Sequence, residues 1–250
     1  MKSIMNKLLA TAAVSAILSF APIANDAHAL GGEPQDLWHG FYLGSHAGWA
    51  EFDSDVRFLA PLNAVGSAFN GSLGESEASF GLQAGINHQM GLLVVGLEAD
   101  LTFLTAKDSV DFDVPIAARQ TYTVRDEVDY VGTVRGRIGA SVANTVIYFT
   151  GGYAFGQVDH ALEQRATGQA PSNAEEASSM GGYAIGGGGE MHLGTIMGLP
   201  MSAKVEYLHI DLEDSTLTST GGAGFNASTV TFDHEINQVR VGVNVQLGGM

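Results

Sequence analysis

Apolar and polar residues alternate with a period of two along most of this chain. The alternation recurs in eight segments, roughly 38–52, 77–89, 92–107, 127–141, 145–158, 179–193, 201–213 and 232–247. Successive side chains on a strand point to opposite faces, so each segment reads as an amphipathic strand. The pattern is cleanest in 129–157, two arms joined by a minimal turn. In the first arm Tyr130, Val134, Ile138 and Ala140 share one face, and Asp129, Thr133, Arg135, Arg137 and Ser141 share the other. In the second, Ile147, Phe149, Tyr153 and Phe155 oppose Tyr148, Thr150, Gly152, Ala154 and Gly156. The connections alternate between short ones, at 89–91, 142–144 and 194–200, and long ones, at 53–76, 108–126, 159–178 and 214–231. That alternation predicts an all-β fold, an eight-stranded antiparallel up-and-down β-barrel with its long loops at one end.

A soluble barrel would alternate too, with its apolar face packed inward. Two features favour the inverted, transmembrane form. Trp49, Phe80, Phe103, Tyr130, Phe155 and Tyr183 lie on the apolar faces, near the ends that join the long connections. A membrane-interface aromatic girdle belongs there. The opposite faces collect Glu98, Asp100, Arg135, Arg137, Glu190, Lys204, Glu206 and Arg240, four acids against four bases. An arginine facing lipid at the midplane costs about 2–4 kcal/mol, so Arg135 and Arg137 must turn inward. Ions confined in a narrow barrel are tolerated when paired and hydrogen-bonded. The expectation is a lumen ion-pair network, in which Arg135 and Arg137 meet Glu98, Asp100, Glu190 and Glu206 and the lumen is largely plugged.

Composition sets the compartment. Lys2 and Lys7 precede an apolar run over 8–24, and Ala27, His28 and Ala29 form a small-x-small cleavage site. Residues 1–29 therefore read as a secretory signal peptide and 30–250 as one barrel domain. The chain has no cysteine, which excludes thiol chemistry and a disulfide framework. After the leader no apolar run reaches the roughly 18 residues of a membrane helix, so only a barrel could span a bilayer. A formal net charge of -16 makes nucleic acid a poor partner.

Several stretches carry a family resemblance: WHGFYLGSHAG at 38–48, GLQAGINHQMGLLVVGLEAD at 81–100, YVGTVRGRIG at 130–139 running into YFTGGYAFG at 148–156, KVEYL at 204–208 and VRVGVNV at 239–245. Together they resemble the small porin-like outer-membrane β-barrel proteins of Gram-negative bacteria, a family with surface-antigen and haemin-binding members. The resemblance implies a bacterial outer-membrane location, with both chain ends and the short connections periplasmic and the long connections at the cell surface. It implies outer-membrane lipid and lipopolysaccharide, the barrel-assembly machinery, and host or other surface ligands reached through the loops as partners. Such proteins commonly end on an aromatic residue, whereas residues 247–250 here are Leu-Gly-Gly-Met.

Other chemistries find weaker footing. Glu98 and Asp100 sit two apart on one face, the spacing of an acid–base pair, but the neighbouring bases account for both as ion-pair partners. His46 and His192 point inward at no metal-ligand spacing and read as polar filling. Residues 186–189, all glycine, lack a following lysine and read as a thin strand, not a phosphate loop. No G-x-S-x-G occurs, and His209 beside Asp211 has no matching serine, which speaks against a lipid-acting barrel enzyme. Acidic residues of the first two long connections, among them Glu51, Asp53, Asp108 and Asp111, lack calcium-loop spacing and read as solvated charge. His160 and His234 fall in or beside surface loops, and the resemblance makes them candidate haem ligands. No cofactor or metal is expected. The expected function is a non-enzymatic structural and surface-interaction role in the envelope, with a narrow porin-like channel or a haemin-binding surface protein as alternatives.

Overall fold

The computed structural model describes residues 36–59, 69–104, 108–114, 120–166, 172–219 and 228–247. The expected leader and its cleavage site lie outside these residues. Nine strands follow in chain order: β1 (Gly40–Leu59), β2 (Phe69–Met90), β3 (Leu93–Leu104), β4 (Asp108–Val114), β5 (Gln120–Val142), β6 (Thr145–Ala166), β7 (Ser172–Ile196), β8 (Leu199–Ser219) and β9 (Ser228–Gln246). Each described pairing is antiparallel, and β9 returns to pair with β1. β3 pairs with the inner part of β5 and β4 with its outer part. They therefore form one stave, and eight staves close into a ring. Closure satisfies backbone donors and acceptors that hydrocarbon could not.

Three two-residue turns, at 91–92, 143–144 and 197–198, make the short connections at one end. At the last of them Met197 and Gly198 both have positive φ, 54° and 84°, the conformation whose twist matches a tight hairpin. The staves are longer than the alternation suggests. β1 has 20 residues and β7 has 25, roughly double the 9–11 that cross a bilayer. Much of what reads as long loop in the sequence is therefore paired strand, including 53–59, 69–76 and 159–166. Outside the membrane the outer face meets water and no longer has to be apolar, so the outward-apolar alternation fades while the backbone ladder continues. From Trp49 to Leu59 the wall runs on for about 33 Å along the strand, at roughly 3.3 Å per residue.

The faces have the inverted sense. Phe149 is 75% exposed and Leu82 65%, both outward, whereas Arg135, on the inward face, is 1% exposed. A soluble barrel would hold these the other way round. The ladder of β5 and β6 shifts register between Val128 and Tyr130, a bulge at Asp129 just beyond the girdle. Such a bulge re-phases the strand above it.

Glycines on the inward face make room for large neighbours. A Cβ on Gly188 would lie 2.5 Å from the Val205 carbonyl oxygen and 2.8 Å from the Tyr148 hydroxyl. Gly188→Ala should therefore push Tyr148 off its partner and lower stability by about 1–3 kcal/mol, read from urea unfolding in lipid vesicles.

Candidate functional site

Register brings opposite charges together first between adjacent strands. Glu98 on β3 faces Arg135 on β5, Glu190 on β7 faces Lys204 on β8, and Glu206 on β8 faces Arg240 on β9. Longer side chains then reach across the ring. Lys204 Nζ lies 2.9 Å from Glu98 Oε2, Arg240 Nη1 3.0 Å from Asp100 Oδ1, and Arg137 Nη2 2.9 Å from Glu190 Oε2. Arg135 touches three carboxylates: Glu98 at 2.6 Å, Asp100 at 2.8 Å and Glu206 at 3.4 Å. All eight charged side chains named from the alternation thus join one cluster, and none of them is more than 3% exposed. Glu98 and Asp100 are ligated by cations on several sides, which leaves neither as a free acid or base.

Neutral donors complete the cluster, some from staves that carry no charge of it. Tyr42 on β1 donates to Glu98 at 2.7 Å, Tyr148 on β6 donates to Glu206 at 2.9 Å, and Thr133 donates to Asp100 at 2.6 Å. The Arg137 guanidinium also stacks 3.9 Å above the Tyr148 ring. Ser202 and Asn244 donate to Glu190 Oε1 at 2.6 and 2.7 Å. His46 bridges Gln83 and Thr102 at 3.2 and 3.0 Å, and His192 packs edge-on against Trp38. Tyr42, Tyr148 and Thr133 share the inward parity of the charges, so their place was available from the sequence. Nothing there, however, told them apart from ordinary filling.

The charged layer lies between two apolar ones. Towards the short turns Trp38, Val94 and Val146 are buried, with the Trp38 indole donating to Ser141 at 3.1 Å. Away from the short turns Val131, Met180, Leu208, Ile210, Leu212 and Ile236 form a buried cluster inside the ring. The expectation of a polar lumen therefore holds for the middle of the barrel and gives way above it. β8 changes at Glu206: inward positions turn from charged to Leu208, Ile210 and Leu212, while outward positions become Tyr207, His209 and Asp211.

The sequence matches the model of the outer membrane protein beta-barrel domain over residues 10–248. The chain belongs to that family. A relative from Rhizobium leguminosarum bv. viciae, a 22 kDa outer membrane protein, is 23% identical over 218 residues, covering 86% of this chain and 80% of its own. Among solved structures, the outer membrane protein OprG from Pseudomonas aeruginosa is similar with a TM-score of 0.44 and 13% identity, over 82% of this chain and 96% of that one. The attachment invasion locus protein Ail of Yersinia pestis matches with a TM-score of 0.30 and 10% identity, over 80% and 99%. The protein resides in the bacterial outer membrane.

On the outer wall of this family member, Phe80, Phe103 and Tyr130 stand in one row across β2, β3 and β5. The Phe80 and Phe103 rings lie 5.7 Å apart, and Trp49 is 66% exposed. Phe155 folds over Gly132, and the Tyr183 hydroxyl donates to Asp211 at 2.9 Å. Tyr207 joins them at the level of Trp49, donating to Asn237 at 2.7 Å.

His160, which the sequence places in the long connection 159–178, lies instead on a strand, because pairing continues past the amphipathic segment, whereas His234 lies within the amphipathic segment 232–247. His160 is in β6, opposite Asp126 and Glu176. His234 is in β9, buried at 6% exposure, and two staves separate its strand from β6. Glu51 likewise belongs to β1 and is buried, not part of a solvated loop.

Removing one partner strands buried charge of the other sign. Arg135→Ala should destabilise the barrel by about 3–5 kcal/mol in urea unfolding. Arg137→Met combined with Glu190→Gln should be less damaging than the two single changes summed, by at least about 1 kcal/mol in a double-mutant cycle.

Proposed function

We propose that this outer-membrane barrel is a closed, non-enzymatic envelope protein that anchors in the membrane and presents a tall acidic wall at the cell surface. The layered lumen carries the proposal: charges drawn from β3, β5, β7, β8 and β9 neutralise one another between two buried apolar layers. An eight-stave barrel leaves an interior about filled by side chains, which disfavours a diffusion channel. The absence of a free carboxylate in the cluster supports a structural role over acid–base catalysis. The wall above the girdle supports surface interaction. In its register Asp55 stands opposite Asp233 and Glu127 opposite Asp159, so it is strongly anionic. Lipopolysaccharide, through divalent cations, and cationic surface ligands are its natural partners. Leu247 continues the outward parity of β9, and its amide donates to the Phe41 carbonyl at 2.9 Å.

Planar-bilayer recording tests the closed lumen. The wild-type protein should show no steady open level, and Arg135→Ala should add conductance or lose stability. A steady ohmic pore in the wild type would overturn closure. For the envelope role, deletion of the gene should raise sensitivity to detergent and EDTA, and the wild-type gene should restore resistance.

A further inference from the structure

The lipid-facing wall is dented near the short-turn end, where β1, β2 and β3 meet, by a groove of about 350 Å³. Two rows of outward side chains border it. Phe41, Ile86 and Leu97 are in register on the membrane side, and His88 and Val95 are in register on the side nearer the turns, with His39 beside them. Between the rows lie Gly40, Asn87 and Gly96, in register at positions that face the lumen, so only backbone floors the groove. The His39 and His88 rings meet edge-on with centroids 4.8 Å apart. No carboxylate lines the groove, and neither imidazole hydrogen-bonds a described residue.

Depth identifies what fills it. From the girdle at Phe80 to His88 the strand runs about 26 Å, at roughly 3.3 Å per residue, or about 20 Å along the membrane normal at a tilt near 40°. The apolar band of such barrels is about 25 Å tall, so the histidines lie just inside its periplasmic edge. Ionisable side chains at that depth are costly unless they find a partner, and a polar ligand is the expected reason for keeping them. The molecules bathing this wall are the lipids of the inner leaflet. Their phosphodiester is an anionic acceptor for two N–H donors, and their acyl chains suit the bed of Phe41, Ile86 and Leu97. We propose that this groove is a binding site for one inner-leaflet glycerophospholipid, its phosphodiester held by His39 and His88 and an acyl chain lying along the apolar row. The site rests on the outer-membrane location with the short turns toward the periplasm, and is independent of whether the lumen is closed.

Native mass spectrometry of the full-length protein in detergent, with dioleoylphosphatidylglycerol or dioleoylglycerol added, tests it. The wild type should retain one phosphatidylglycerol and lose it about tenfold more readily after His39→Ala with His88→Ala, as expected for hydrogen bonds to a charged group. Val95→Trp, which fills the groove and keeps both histidines, should have a similar effect. All variants should unfold at the wild-type urea concentration, since these side chains face lipid. Equal retention of dioleoylglycerol, or undiminished phosphatidylglycerol in both variants, would overturn the proposal. Displacement of the lipid by inorganic phosphate alone would overturn it too, by revealing a simple anion site.

Discussion

Four carboxylates and four cations share one level of the lumen, and neither sign could stay there without the other. Moving an ion out of water costs several kcal/mol even after relaxation, and only close, multiply hydrogen-bonded partners offset that. Arg135 meets Glu98, Asp100 and Glu206, and Glu98 in turn meets Lys204. The cluster draws on strands from around the ring, so it can form only when the ring is closed. It also holds the register. A slip of one residue on β5 would turn Arg135 and Arg137 towards lipid and Val134 and Ile138 into the lumen.

The same strands solve two solvation problems along their length. Across the bilayer the outward face must be apolar and the inward face must satisfy its own charges. Beyond the girdle the outside is water, and the relation reverses: Leu208, Ile210 and Leu212 close the interior while His209 and Asp211 face out. Charge pairing holds the middle of the barrel, and hydrophobic burial holds the parts on either side. The lower apolar layer shows how economical this is in sequence. Trp38 turns into the lumen and its neighbour His39 lines the lipid-facing groove, so two consecutive residues before β1 serve the inner and outer walls.

The alternation by itself determined the eight crossing segments, the inside and outside of each, and the eight charges that had to be shielded from lipid. It did so because a strand has a period of two and because the cost of an arginine in hydrocarbon leaves one orientation open. It also put Trp49 and Phe80 on the outward face, where both are exposed. Only the tertiary structure decided which acid meets which base, because Lys204 and Glu98 are far apart in sequence and joined by ring closure. Only it extended the strands past the bilayer, where paired backbone continues without an amphipathic signature, and so moved His160 out of a loop. The apolar layer above the charges and the groove on the outer wall likewise depend on which side chains become neighbours across staves. Period-two alternation assigns a residue to a face, and packing in three dimensions assigns it a partner.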